Sequence, residues 1–229
     1  MVSDGSRAFV FGGLTACMDG STTGPGLEVF NSTTKVWTPI TASGAPVARY
    51  AHSMVWTGSE VFVFGGSTTA LAVASGARYN PTTGKWTDAS CAIGNCARVS
   101  ATLFVDSGFV KMWGGSYGDS PTGRQFNLTS GMWSAWSVPT GVVLPGDHPD
   151  DGKRIFVVEN PGPDCAHPTT VRVLDRSTGA LVAADESAAP DGVVNAAAVV
   201  WSGGELIAWS GGCGAAPTNG GGRYQPTAP

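Results

Sequence analysis

Short apolar segments alternate with turn residues along the whole chain, and the clearest example runs from Arg49 to Trp86. Within it, an apolar segment at 54–56 is followed by a Thr-Gly turn, and a second apolar segment at 61–64 ends at a glycine pair. A looser stretch then leads to a tyrosine, a Pro-Thr-Thr-Gly turn and a tryptophan. Runs of this length between turn residues indicate β-strands. The stretch therefore predicts four short strands, here called A, B, C and D.

The same arrangement recurs at intervals of 47 to 50 residues. Its marks are a glycine pair that ends strand B, an aromatic residue in strand C and a tryptophan seven positions later. The glycine pairs are Gly12 and Gly13, Gly65 and Gly66, Gly114 and Gly115, and Gly211 and Gly212; the aromatic residues are Phe30, Tyr79, Phe126 and Tyr224; the tryptophans are Trp37, Trp86 and Trp133. The fourth unit has Glu159 and Asn160 in place of the glycines. A fixed period of this length predicts a repeat architecture.

These residues resemble the kelch repeat, whose period is about 50 residues. The resemblance implies an all-β fold, a β-propeller of about five four-stranded blades in a single domain over residues 1–229. The expected units are approximately 1–43, 44–91, 92–138, 139–187 and 188–229. Blades stack face to face, so their strands are expected to be apolar on both sides. In the fourth unit, strand A is placed at 142–144, beside two prolines.

The two terminal blades are expected to be incomplete. The first unit holds two residues of strand A, and the fifth stops before strand D. We therefore expect a natural gene that encodes further blade material. An uncovered strand edge in the fifth unit favours pairing with another chain, so self-association is a second expectation.

Composition and charge exclude some classes of function. Of 229 residues, 42% are hydrophobic and 13% charged, and the net charge is −4. A chain of this kind offers no basic surface for phosphate backbones, so nucleic acid is not an expected partner. No apolar run approaches the roughly 18 residues that a membrane helix needs, and the first residues do not form a signal peptide.

Five cysteines lie at 17, 91, 96, 165 and 213. Cys91 and Cys96 flank a short loop with glycine and asparagine, which predicts a disulfide. Cys165 and Cys213 lie in corresponding loops and form the second expected bridge, with Cys17 free; pairing of Cys17 with Cys213 is the alternative. Disulfides favour an oxidising compartment, so a secreted, cell-surface or periplasmic protein is predicted. The repeats also resemble those of bacterial extracellular kelch proteins.

Strand direction alternates within a blade, so the B–C and D–A connections open on one face. All five cysteines are placed there, and the B–C connections are the longer and more variable ones. Binding residues commonly lie on such loops. The candidate binding residues on this face are His52, Tyr117, Asp119, Asp164 and His167.

Several chemical alternatives remain open. The acidic cluster at 147–151 is either a cation site or a solvated loop. His167 with Asp164 and Cys165 is either a metal or acid–base site, or a set of loop neighbours of a disulfide. Trp136 is less constrained by the repeat than the other tryptophans and is the one expected to be exposed.

No catalytic set, metal site or cofactor is predicted from the spacing of the residues. We expect a non-catalytic extracellular scaffold that recognises a protein or a glycan. The alternative is a carbohydrate-active or copper-dependent enzyme that resembles galactose oxidase. That resemblance implies copper held by tyrosines and histidines; this chain has three histidines, and Tyr79 and Tyr224 occupy repeat positions.

Overall fold

A computed structural model describes residues 1–14, 24, 26–68, 71–115, 122–138, 148–159, 170–185, 198–213 and 216–225. The regular structure in these ranges consists of antiparallel β-sheets, which confirms the all-β prediction. The strands are β1 (Val2–Ser3), β2 (Arg7–Phe11), β3 (Leu27–Asn31), β4 (Val36–Ile40), β5 (Ser53–Trp56), β6 (Val61–Phe64), β7 (Gly76–Asn80), β8 (Lys85–Asp88), β9 (Thr102–Asp106), β10 (Phe109–Trp113), β11 (Gly123–Asn127), β12 (Trp133–Trp136), β13 (Arg154–Glu159), β14 (Thr170–Asp175), β15 (Leu181–Asp185), β16 (Ala198–Trp201), β17 (Leu206–Cys213) and β18 (Ala216–Tyr224). No helix long and apolar enough to cross a membrane occurs among the residues described.

The strands form five sheets in which neighbours in the chain are neighbours in the sheet. The first unit of the chain, Met1–Asp147, holds the first sheet (β1–β4), the second (β5–β8) and the third (β9–β12). The second unit, His148–Pro229, holds the fourth sheet (β13–β15) and the fifth (β16–β18). The sequence expectation of one domain over the whole chain stays a prediction.

A glycine with positive φ lies in the turn that precedes strand B in each of the five sheets. In the third sheet it is Gly108, with φ of 82°, and in the other four sheets the glycines share one hydrogen-bonding pattern. These glycines are Gly5, Gly58, Gly152 and Gly203, with φ between 88° and 98°. The residue before each glycine is Asp, Thr or Ser, and its side-chain oxygen binds the other end of the turn. In the first sheet, for example, the Asp4 carboxylate accepts hydrogen bonds from the backbone N–H and the guanidinium of Arg7, both at 2.7 Å. Local side-chain bonds of this type favour a turn over a continued strand.

The core of the first unit lies between its sheets. Strand β6 is buried at all four positions, as the apolar run predicted. Val61 and Val63 pack with Phe9, Phe11 and Leu27 of the first sheet. The alternate residues Phe62 and Phe64 pack on the opposite side, in a cluster with Val110, Met112 and Phe126 of the third sheet. The side chains of one strand therefore contribute to two intersheet cores.

The repeated aromatic residue and the repeated tryptophan face each other across strands C and D. The pairs are Phe30 with Trp37, Tyr79 with Trp86, and Phe126 with Trp133, and their ring centroids are 5.1, 5.2 and 5.4 Å apart. The seven-residue spacing produces this register because the intervening residues form a tight turn. In each pair, the strand-C residue lies directly opposite the tryptophan.

The stretch 142–144, predicted as strand A of the fourth unit, lies outside the described residues and stays a prediction; Asp150 forms an isolated bridge to Ile155 of β13. The fifth sheet departs from the sequence prediction in two details. Gly211 and Gly212 do not end strand B, because β17 continues through them and pairs with β18. For the same reason Cys213 lies at the end of a strand rather than in a loop.

The expectation of incomplete terminal blades stays a prediction. The first sheet has four strands, of which β1 has two residues, and the fifth sheet has three strands in the described part of the chain. Strand β18 is the last in its sheet order, so its outer edge is uncovered by any described strand. Self-association through this edge stays a prediction.

Candidate binding face

Within the first unit, the described connections between strands B and C and between successive sheets lie on one face, as strand alternation requires. In the first unit we define the loop face as the connections at 41–52, 65–75 and 89–101. Two arginines occupy the same position in the two connections between sheets, Arg49 before β5 and Arg98 before β9. Both side chains are fully buried.

Arg49 joins the first sheet to the second. Its guanidinium donates to the carbonyl oxygens of Val47, Gly65 and Ser75 at 2.9, 3.0 and 2.9 Å. Its own carbonyl accepts a hydrogen bond from the Gly13 N–H at 2.8 Å. Burial lowers the pKa of Arg49, but a guanidinium remains protonated at neutral pH. The charge is therefore satisfied by carbonyl groups and is not presented to a ligand.

Arg98 repeats the arrangement one sheet later. Its carbonyl accepts a hydrogen bond from the Gly66 N–H at 2.7 Å, and its guanidinium donates to the Thr122 hydroxyl at 3.1 Å. A Cβ atom on Gly65, which has φ of 69°, would lie 2.5 Å from the Arg98 carbonyl oxygen. The glycine pair is thus required by this close approach of the next connection to the end of strand B.

His52 is the one candidate binding residue within the described ranges. Its ring lies edge-on to Phe11, 5.5 Å away, and its Nδ1 is buried without a hydrogen-bond partner among the described residues. Burial, helped by the positive charge of Arg49, lowers the pKa of His52 to about 4. The imidazole is therefore neutral at pH 7 and packs as part of the intersheet core. This environment is typical of a structural histidine.

The other four candidates, Tyr117, Asp119, Asp164 and His167, lie outside the described residues, and their roles stay predictions. Within the described ranges, no three His, Cys, Asp or Glu side chains come close enough to hold a metal ion.

The described carboxylates of the acidic stretch at 147–151 are engaged in local structure. Asp150 accepts a hydrogen bond from Arg176 at 2.9 Å. Asp151 accepts from the backbone of Lys153 and of Arg154, and from the Arg154 guanidinium at 2.7 Å. Burial would raise the pKa of Asp151, but these hydrogen bonds outweigh it and lower the pKa. These contacts favour a turn-stabilising role over a cation site.

The disulfide prediction at the loop face is confirmed for one pair. Cys91 and Cys96 are bonded, and their Cα atoms lie 6.1 Å apart. Cys96 is buried in the core between the second and third sheets, so the loop is anchored to that core. The side chains of Cys17, Cys165 and Cys213 lie outside the described part of the structure, and the second bridge stays a prediction.

The loop face also exposes large apolar side chains, which the sequence reasoning did not identify. Val47 and Leu71 are 69% and 73% exposed, and Ile93 is exposed as well. Lys, Asp and Glu are absent from the three connections of the loop face, at 41–52, 65–75 and 89–101. The two arginines in these connections are buried. The accessible surface of these connections is therefore uncharged and partly apolar. The signal in the sequence was the absence of Lys, Asp and Glu from these three loops.

Trp136 is not an exposed platform. It is half-buried, with its ring edge-on to Phe104 at 5.6 Å and to Trp113 at 5.8 Å. The ammonium of Lys111 lies 4.9 Å from the centre of the same ring. The expectation of an exposed tryptophan at this position was wrong, because the side chain completes an aromatic cluster on the third sheet.

A comparison with protein families gives a match to the Kelch motif over residues 48–91. The matched stretch contains the complete second sheet, β5–β8, with the glycine pair, Tyr79 and Trp86 in their repeat positions. The first and third sheets have the same four-stranded order and the same pairing of aromatic residue and tryptophan. The second sheet is thus similar to the Kelch motif, and the first and third sheets repeat its strand order.

Proposed function

We propose that this protein is a non-catalytic interaction scaffold that binds a protein partner through the loop face and acts outside the cytosol. The observation that carries the proposal is the uncharged, partly apolar surface of three successive connections. Protein interfaces are depleted of charge at their centre and bury apolar side chains there.

The scaffold beneath these loops supports such a role. The connections are held by the buried guanidinium groups of Arg49 and Arg98 and by the Cys91–Cys96 disulfide. A preorganised surface loses less conformational entropy when a partner binds. The disulfide also supports the proposed location, because such bonds persist in oxidising compartments.

The test compares the two faces of the same chain. Leu71→Glu places one negative charge on the loop face, whereas Met132→Glu places the same charge on the opposite face, where Met132 is 67% exposed. We expect a protein captured from an extracellular fraction by the wild type and by Met132→Glu, but not by the loop variant. Circular dichroism checks that all three proteins are folded.

A glycan array and a metal analysis are run on the same preparations. A glycan bound equally by the wild type and the loop variant would contradict a protein-binding loop face. Stoichiometric copper, or turnover of a sugar, would contradict a non-catalytic role and favour the enzyme alternative. Equal loss of protein binding in both charge variants would show that the loop face has no special part in recognition.

A further inference from the structure

We infer that the protein partner contributes a short, extended, uncharged segment that pairs as an added β-strand with the open backbone edge at Ala72 on the loop face. The inference rests on the proposed function, since it assigns the way in which a protein partner binds that same face. The observation behind it is a ladder of backbone hydrogen bonds that stops between the second and the third connection of the loop face.

The second connection directs the backbone groups of Ala72 away from its own loop. Ser67 forms isolated antiparallel bridges to Tyr50 and to Ala72. Beside the second of these bridges, the Val73 N–H donates to the Gly66 carbonyl at 2.9 Å. Successive residues of an antiparallel pair direct their N–H and carbonyl groups to opposite sides. Because Val73 faces Gly66, the N–H and carbonyl of Ala72 face the other side, where the third connection runs.

The third connection pairs with this side for a few residues and then leaves it. It continues the register of β7 and β8, and the Cys91 N–H donates to the Ala74 carbonyl at 2.9 Å. Two residues further on, the same register would pair Ile93 with Ala72. That pair does not form, and the N–H and carbonyl of Ala72 have no hydrogen-bond partner among the described residues. The ladder therefore ends in an open edge.

The disulfide loop accounts for the end of the ladder. The bond between Cys91 and Cys96 closes the chain into a loop directly after its last paired residue. This loop is held from the third sheet, where Arg124 of β11 donates to the Gly94 carbonyl at 3.0 Å. The loop is thus fixed away from Ala72 by a covalent bond and a guanidinium. An edge that is held open in this way is preorganised for an incoming strand, and proteins commonly bind extended segments by adding a strand to such an edge.

The side chains beside the open edge define the chemistry of the segment. Leu71 precedes Ala72 in the chain and is 73% exposed, and Ile93 is exposed in the disulfide loop. Because side chains alternate along a strand, the two neighbours of the residue that pairs with Ala72 would lie on the same side as Leu71. Apolar side chains at these positions would cover Leu71. A charged side chain would lose water without gaining an accessible opposite charge, since the arginines of the three connections are buried.

The first test uses peptides from a random-peptide display library, selected on the intact chain and counter-selected against the Leu71→Glu variant. The selected peptides should be rich in apolar and β-branched residues and poor in charged ones. A saturating peptide should slow the exchange of the Ala72 N–H with solvent, measured by NMR on the labelled chain, by about tenfold or more. The Ser67 N–H already donates to the Tyr50 carbonyl at 2.9 Å, so its exchange should stay unchanged and serves as the internal control.

The second test changes one hydrogen-bond donor at a time. Ala72→Pro removes the N–H, whereas Ala72→Gly keeps it and removes only the methyl group. Ala72→Pro should weaken peptide binding about tenfold, and Ala72→Gly should change it little. N-methylation along a selected peptide probes the same bonds from the other side and leaves the protein unaltered. It should weaken binding about tenfold at the residue that pairs with Ala72 and be tolerated at the two neighbours, whose N–H groups point away from the edge.

Four results would overturn the inference. They are equal binding by Ala72→Pro and Ala72→Gly, tolerance of N-methylation at every peptide position, unchanged exchange of the Ala72 N–H, and failure to select any peptide that discriminates between the wild type and Leu71→Glu. None of them decides whether the chain captures a protein through the loop face, because that is decided by the comparison of Leu71→Glu with Met132→Glu. Equal capture by those two variants would overturn the proposed function and this inference together.

Discussion

The matched tryptophans Trp86 and Trp37 allow the packing between sheets to be measured within one protein. Both lie at the start of strand D opposite a strand-C aromatic ring, but Trp86 is 9% exposed and Trp37 is 50% exposed. Replacing a buried tryptophan with alanine costs roughly 3–5 kcal/mol of unfolding free energy. The difference in exposure is about 40% of a side chain that buries up to roughly 250 Å², or about 100 Å². At about 25 cal/mol per Å², Trp86→Ala should cost roughly 2.5 kcal/mol more than Trp37→Ala.

The assay is urea unfolding followed by circular dichroism, because tryptophan fluorescence would itself change with the substitution. Protein concentration is kept low, so that self-association does not contribute to the measured stability. The slope of the unfolding free energy against urea should be the same for both variants. Equal losses of stability in the two variants would refute the reasoning, because they would show that the packing of one sheet on the next contributes nothing measurable beyond the sheet itself.

Three further predictions concern the turns, the buried arginine and pH. Gly65→Ala should lower the free energy of unfolding, measured by thermal unfolding, on the order of 2 kcal/mol more than Gly58→Ala does. Both glycines have positive φ, but only a Cβ atom at position 65 would lie too close to a neighbouring carbonyl oxygen. Equal losses of stability in the two variants would contradict this. Arg49→Met should lower the free energy of unfolding by roughly 3–5 kcal/mol, because three carbonyl groups lose their hydrogen-bond donor. Lys85→Met, at an exposed position, should change it little. A small loss of stability in Arg49→Met would show that the carbonyl groups find other donors. Burial would raise the pKa of Asp4, but hydrogen bonds to its carboxylate lower the pKa from 3.8 to about 2. The carboxylate therefore stabilises the fold above pH 4, and this contribution is lost between about pH 4 and pH 2. Asp4→Asn should reduce the acid sensitivity of the melting temperature, and an unchanged dependence of the melting temperature on pH would exclude a role for this turn.

Most of the strand pattern could be predicted from the sequence because the marks of the repeat are themselves structural requirements. The glycine pair recurs because the next connection passes too close for a side chain, as at Gly65 and Arg98. The apolar run 61–64 predicts burial on both sides because a strand between two sheets has no solvent side. Such requirements act locally, so they are visible in a single chain.

The candidate site was harder to predict, because burial and exposure in its loops depend on the path of the chain rather than on a local pattern. Arginines are usually exposed, so nothing in the isolated residues Arg49 and Arg98 indicated burial; their recurrence at a 49-residue interval was the available signal. Exposure of Leu71 and Ile93 depends on the path of a connection rather than on periodicity. The extension of β17 through Gly211 and Gly212 was missed because the partner strand β18 is itself rich in glycine and carries few strand-forming residues.

The hydrogen bonds from Gly13 to Arg49 and from Gly66 to Arg98 connect each sheet only to its immediate neighbour. Coupling of this kind is one-dimensional, so the free energy needed to open a sheet depends on how many neighbours it has. Within the first unit, the second sheet has a neighbour on each side and shares both clusters of buried residues. Its backbone amides, such as those of β6, should therefore exchange with deuterium more slowly than those of β2.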